Sequence, residues 1–274
     1  MRPAARLLAA AILVGGTAGP AVARAPDRIL SLDQCADQYV LALAPEATLF
    51  LSPRADDPDS WMAREAWVHR RVRPTLEAAT GVRPEVVVRY WGGEPRLRAA
   101  LAARGATVVT IADASDLAGI RGNIAAVAGA LGRPEAGARL IARMDGRLAE
   151  AAAVRPVGPP RTALYLTAGG FTAGAGTLID AILTAGGYRN AAGIAGFGPV
   201  SVERIALEPP LRFVLGFFDQ ARADWRGAGR HPVVRAASRG RVVADLPAAS
   251  LTCPAWFAAD AALAVARGTP EPGR

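Results

Sequence analysis

Lysine is missing from this chain: all 32 of its basic residues are arginine. Beside 29 glycines, 21 prolines and abundant alanine, that bias reads as a GC-rich coding background rather than a selected basic surface. The net charge of +8 is therefore weak ground for nucleic-acid binding, which needs a clustered basic stripe with interleaved aromatics. No such stripe is found, so no nucleic-acid partner is expected. Histidine is scarce too: His69 and His231 have no ligand spacing with either cysteine, which argues against a zinc site. There is no GxSxG turn, no HExxH helix and no lysine after the glycine-rich stretch Gly169–Gly176. Nucleophile-elbow hydrolases, zinc proteases and phosphate-loop enzymes are thereby excluded. Cysteine is limited to Cys35 and Cys253. In an oxidising compartment they form a candidate disulfide, and spacing alone leaves two separate thiols equally open.

Long apolar runs are also absent after the first residues. Arg2 and Arg6 precede the apolar run Leu7 to Val14, which is too short to span a bilayer, and Ala21-Val22-Ala23 supplies a small-residue cleavage motif. Residues 1–23 are expected to be a signal peptide that delivers the protein to the periplasm, cut before Arg24.

What the chain does have is alternation. A central helix is expected over residues 133–155: Pro134 suits a first helical turn, and Leu140, Ile141, Met144, Leu148 and Ala151 recur at helical spacing. Before it, strands are expected at Arg28–Leu32, Thr48–Leu51, Val86–Val88 and Thr107–Ile111. Helices intervene, the last of them capped by Ser115. After it the grammar restarts, with strands at Thr162–Leu166, Arg212–Gly216 and Arg241–Ala244. A glycine-rich turn spans Thr167–Gly176, and a final helix begins near Ala255. Short, uninterrupted apolar strands between helices predict parallel sheets covered on both faces. The expected fold is α/β with two lobes, each a mostly parallel sheet flanked by helices, joined by one long interlobe helix. The segments are 24–132 for the N-terminal lobe, 133–155 for the connecting helix and 156–274 for the C-terminal lobe.

One pattern occurs once in each half. Thr75-Leu76-Glu77 and Ser201-Val202-Glu203 are each followed, nine residues after the first of them, by a proline (Pro84, Pro210) and then a buried strand. A carboxylate in a first helical turn is favoured locally by the macrodipole, by about 0.3–1 kcal/mol. That effect does not require the same arrangement in both halves.

Ligands of open parallel sheets bind beyond the carboxyl ends of the strands. Those positions here are Asp33 to Asp37, Ser52 to Trp61, Tyr90-Trp91, Gly169 to Phe171, Phe217 to Asp219 and Leu251 to Trp256. Aromatics make up only 6% of the chain, yet several gather there, which suits a sizeable, partly apolar ligand. Asp33, Asp37 and Asp219 are the acid–base candidates if the cleft belongs instead to an exported α/β enzyme.

These segments resemble the periplasmic substrate-binding proteins of ATP-driven importers, in the class with a rigid helical backbone that binds ferric siderophores, haem and cobalamin. The resemblance is carried by RILSL (Arg28–Leu32), TLEAATGVRPEVVV (Thr75–Val88), YWGG (Tyr90–Gly93), the connecting helix, GGFTAGAGTLIDAILTAGG (Gly169–Gly187) and SVERIALEPPLRFVL (Ser201–Leu215). It implies a binding protein and not an enzyme, a monomer without a resident cofactor. The expected cargo is a metal chelate, and the expected partner is the permease dimer of an ABC importer. Glu77 and Glu203 are implied as docking carboxylates for permease arginines. The implied ligand contacts are Tyr90, Trp91, Phe171, Phe217 and Trp256, with Trp61 as a sixth. Cys35 and Cys253 then fall near the mouth between the lobes, where a bridge between them is preferred. A corrin or haem would stack on aromatic faces, whereas an anionic ferric chelate would want Arg54 or Arg222 turned inward.

Overall fold

The structure, a computed structural model, describes residues 24–268 apart from 156–157, 160, 221–223 and 225. The expected signal peptide, residues 1–23, and Arg222 lie outside the described residues. The N-terminal lobe runs β1 (Arg28–Ser31), α1 (Gln34–Leu43), β2 (Thr48–Leu51), α2 (Ala63–Ala66), β3 (Arg70–Arg71), α3 (Leu76–Gly81), β4 (Val86–Arg89), α4 (Pro95–Ala102), β5 (Thr107–Thr110) and α5 (Leu117–Ala130). The long helix α6 (Pro134–Val154) follows. The C-terminal lobe runs β6 (Arg161–Thr167), β7 (Phe171–Ala173), α7 (Leu178–Ala185), β8 (Tyr188–Asn190), β9 (Phe197–Pro199), α8 (Val202–Leu207), β10 (Phe213–Gly216), α9 (Pro232–Ser238), β11 (Val242–Leu246) and α10 (Ala258–Arg267).

Two parallel sheets result, in the orders β3-β2-β1-β4-β5 and β11-β10-β6-β8, with β7 and β9 paired antiparallel as a separate ribbon. Alternate residues of the central strands enter different clusters. Ile29, Val86 and Val88 pack on the face that carries α1 and α5, and Leu30 and Val87 on the face that carries α4. That two-sided burial is why these strands read as continuous apolar runs. The first cluster continues through Leu140 and Met144 of α6 to Tyr165, Val214 and the apolar face of α10, so one core passes between the lobes. At about 1.5 Å per residue, α6 is roughly 30 Å long and spans this core. Its Gly137 is where α5 approaches: a Cβ there would lie 2.5 Å from that of Ala128.

Several details differ from the sequence expectation. Asp116, not Ser115, caps α5, its carboxylate accepting from the Gly119 N–H at 2.7 Å. Both residue types suit a cap, and adjacent candidates cannot be ranked by type alone. The stretch Thr167–Gly176 is not all turn, because Phe171–Ala173 pairs with Phe197–Pro199. The last helix begins at Ala258 rather than near Ala255, and β3, β8 and α9 are additional elements.

Each sheet has one point where strand order reverses, between β1 and β4 in the first and between β6 and β10 in the second. Such switch points open a crevice at the carboxyl ends of the strands. Asp33 and Tyr90 follow β1 and β4, while Ala168 and Phe217 follow β6 and β10.

Candidate functional site

Around these switch points lies a cavity of 620 Å³ with walls from both lobes. Tyr90, Asp113, Ala114 and Ser115 come from the first lobe. The second lobe supplies Tyr165, the start of α7, Phe197, Phe217 and the segment Ser250 to Pro254. A volume of this order is typical of small-molecule sites.

The Tyr90 wall is built by a buried carboxylate. Asp33 caps α1 through Oδ1, which accepts from the N–H groups of Cys35 (3.1 Å) and Ala36 (3.0 Å). Its Oδ2 accepts from the N–H groups of Tyr90 (2.7 Å) and Gly92 (2.8 Å). The turn sits so close to β1 that a Cβ on Gly92 would lie 2.3 Å from the Leu32 carbonyl oxygen, which explains the glycine in the YWGG motif. The Tyr90 hydroxyl donates to Asp113 Oδ1 at 2.7 Å.

On the other wall, Phe217 occupies the left-handed region at φ 63°, unusual for a residue with a Cβ and a sign that the site fixes its backbone. Tyr165 lies on the cavity wall although only 2% exposed, and its hydroxyl has no hydrogen-bond partner among the described residues. Burial pushes its ionisation well above the usual tyrosine range, so it stays a neutral donor. Phe197, 73% exposed, extends the wall on the β7–β9 ribbon. Among the described residues no arginine or histidine lines the cavity, and Asp113 is its one carboxylate.

Of the sequence-derived ligand residues, Tyr90 and Phe217 face the cavity. Trp91 (55% exposed) and Phe171 (53% exposed) are at the surface and not on the cavity wall. Trp256 is 3% exposed, edge-on to Tyr39 and Phe257 at ring separations of 5.8 and 5.4 Å, and sits in the core, off the cavity wall. Trp61 likewise stacks on Phe257 at 5.0 Å and lines a different, smaller notch with Arg143 and Asp260. Trp61 is drawn away by Phe257 and Trp256 by Tyr39, both long-range contacts that chain order does not reveal. Asp113, Tyr165 and Phe197 also line the cavity and are not among the residues singled out from the sequence. Asp113 had a signal, because it follows β5 by the same strand-end rule that selected Tyr90.

The acid–base candidates are occupied by structural work. Asp33 holds four N–H groups, as described. Asp37 accepts from the Ser31 hydroxyl and from the Ser52 N–H (2.9 Å) and hydroxyl (2.6 Å). The Asp219 carboxylate accepts from the Ala248 N–H, 3.1 Å from each oxygen. None of the three lines the cavity. Arg54 pairs with Asp57 (2.6 Å) and Asp59 (3.6 Å) and also stays out of it.

Glu77 and Glu203 are exposed in the first turns of α3 and α8, capped by Thr75 and Ser201. Each helix leads into the amino end of a parallel strand, so both first turns lie toward the carboxyl edges where the cleft opens. Cys35 and Cys253 form a disulfide, with Cα atoms 5.3 Å apart. Among the described residues no group of acidic, histidine or cysteine side chains is arranged to hold a metal ion.

The periplasmic binding protein profile matches residues 56–211. No curated protein sequence matches the chain. Among solved structures, the periplasmic haem-binding protein BhuT, in complex with two haems, is similar at 26% identity with a TM-score of 0.67, over 88% of this chain and 96% of that one. The periplasmic haem-binding protein RhuT from Roseiflexus sp. RS-1, in apo form, shares 25% identity with a TM-score of 0.64, over 87% and 97%. The periplasmic vitamin B12-binding protein BtuF of Vibrio cholerae, at 22% identity and a TM-score of 0.63 over 88% and 95%, shares the fold.

Proposed function

The chain belongs to the periplasmic binding protein family, and from that premise we propose that it captures a metal-containing macrocycle in the periplasm and hands it to the permease of an ABC importer. The observation that carries the reading is the character of the interlobe cavity. Tyr90, Tyr165, Phe197 and Phe217 give it aromatic walls, Leu178, Ile179, Ile182 and Leu251 add apolar surface, and no cation lines it among the described residues. Flat apolar faces favour stacking of a corrin or porphyrin. A polyanionic ferric chelate would instead meet Asp113 with no arginine to offset its charge. The preferred cargo is accordingly a neutral or cationic macrocycle, with corrinoids ahead of haem and both ahead of anionic siderophores. The neighbours named for haem and vitamin B12 support the same ligand class.

Docking is assigned to Glu77 and Glu203. Two exposed carboxylates, one per lobe and both toward the cleft side, suit bidentate pairing with arginines of a two-fold partner. The test is a titration of the purified protein with cyanocobalamin, dicyanocobinamide, hemin and a ferric tricatecholate. The expected result is micromolar or tighter binding of a macrocycle, recovered chemically unaltered, with weakening in Y165F. Tightest binding of the anionic ferric chelate, or an altered ligand, would reject the reading. The charge-reversed pair E77R/E203R should abolish uptake and leave affinity unchanged; normal uptake would remove the docking role.

A further inference from the structure

The two cavity walls share a support that lies outside the connecting helix. The wall segment from Ser250 to Pro254 belongs to the C-terminal lobe, and within that lobe it hangs from Ala248. The Ala248 N–H is held by Asp219, and its carbonyl accepts from the Leu251 N–H (2.9 Å) and the Thr252 N–H (3.0 Å). At Cys253 and Pro254 the ties run to the other lobe, before Ala255 and Trp256 accept from the start of α10. Cys253 is bonded to Cys35 in the first turn of α1, and the Pro254 carbonyl accepts from the Tyr39 hydroxyl at 2.7 Å, one turn further along the same helix. Cys35, Tyr39 and Cys253 are all buried, so these ties are shielded from water. The residue that caps α1, Asp33, is the one whose second oxygen holds Tyr90 and Gly92 in the opposite wall.

We propose that the first turns of α1 are a common mount for both walls of the ligand site. In this arrangement Asp33 positions the Tyr90–Gly92 turn, and the Cys35–Cys253 bridge with the Tyr39 hydroxyl positions residues 251–255. The inference rests on the assignment of the cavity as the ligand site. The bridge then fixes the spacing of the walls before any ligand arrives, and pre-organisation of that kind reduces the ordering required on binding. Cys35 and Cys253 are thus positioning residues of the site as well as a cross-link of the fold, and reduction of the bridge loosens one wall while the sheets stay intact.

Hydrogen–deuterium exchange on the ligand-free protein tests this without knowledge of the cargo. Three samples are compared with the untreated wild type: wild type reduced by a phosphine in mild urea and returned to buffer, with two free thiols counted per chain, the C35S/C253S variant, and D33S. Serine can still cap α1 but lacks the carboxylate oxygen that reaches Tyr90 and Gly92. Loss of the bridge should accelerate exchange across residues 251–257 by about tenfold, with β6, β10 and α10 unchanged, as local opening of one segment requires. Reoxidation of the reduced sample should restore it. D33S should accelerate residues 90–92 and leave 251–257 alone. Unchanged exchange at 251–257, or an equal rise throughout β6, β10 and α10, would overturn the proposal, since the bridge would then be either idle at the wall or a general staple. If the double variant does not fold, the reduced wild type distinguishes the same outcomes. Titration of the same samples with cyanocobalamin, dicyanocobinamide and hemin separates the two claims. If the untreated wild type binds no macrocycle, the cargo assignment fails while the exchange result still decides the mount.

Discussion

The hydroxyl of Tyr90 donates to Asp113 Oδ1 at 2.7 Å, joining the turn after β4 to the segment after β5 at the edge of the cavity. Burial first, and then this bond and the carboxylate charge, push the ionisation of Tyr90 up to about 12. In D113A the burial remains and the bond does not. Spectrophotometric titration should therefore show the Tyr90 ionisation moving part of the way back toward its ordinary value of 10. The same variant should bind an anionic ferric chelate better than the parent, because the one carboxylate on the wall is gone. An unmoved titration curve would mean that the bond does not persist in solution.

Phe217 offers a separation of stability from binding. A left-handed backbone costs an L-residue roughly 1–2 kcal/mol, and glycine adopts it freely. F217A keeps that strain and F217G releases it, so F217G should be the more stable of the two by about 1 kcal/mol in urea unfolding. Both remove the ring and should weaken macrocycle binding to the same degree. Equal stabilities would contradict the φ of 63° at this position.

Asp37 sets a pH dependence of unusual sign. Burial outweighs its hydrogen bonds to Ser31 and Ser52 and raises it from 3.8 to about 6. Between those values the folded protein holds a proton that the unfolded chain has released, so stability falls as pH rises through the window. Above pH 6 the buried charge persists at a cost on the order of 3 kcal/mol. Asparagine does not ionise, and Ser52 can reverse its hydroxyl bond to suit it. The melting temperature of D37N relative to wild type should rise between pH 4.5 and pH 7.5, by roughly 5 °C in a protein of this size. A difference that is flat across that range would refute the assignment.

The connecting helix carries two glycines with opposite expectations. A Cβ at Gly146 meets nothing within 4 Å, so G146A should stabilise the protein by up to about 1 kcal/mol through helix propensity alone. At Gly137 the added methyl would press on Ala128, 2.5 Å away, and G137A should destabilise by roughly 1–3 kcal/mol as α5 and α6 are forced apart. Thermal melts of the two variants shifting in the same direction would be inconsistent with that close approach.

The alternation of strands and helices, the α6 stripe and the paired caps at Thr75 and Ser201 were legible because each is a local pattern with a local cause. The cavity was legible only in part. Tyr90 and Phe217 follow strands at switch points, and position along the chain suffices to select them. Tyr165 lies inside β6, in a strand buried on both faces, where alternation carries no information about which side chain reaches a cleft. Trp61 and Trp256 stand at equally plausible strand-end positions, yet the first packs on Phe257 and the second on Tyr39. The β7–β9 ribbon was hidden because its glycine-rich surroundings resemble a turn, and its pairing depends on a partner some 26 residues away.

The bridge between Cys35 and Cys253 spans 218 positions of sequence, so with it intact even a fully denatured chain is a closed ring rather than an open thread. Ring closure on that scale removes disorder from the denatured ensemble worth on the order of 5 kcal/mol in the chain-entropy picture. Heat or urea can then melt the packing of both sheets, yet the first turn of α1 and the loop ahead of α10 never diffuse apart. On cooling, the two halves begin their search already leashed at the point where they must meet.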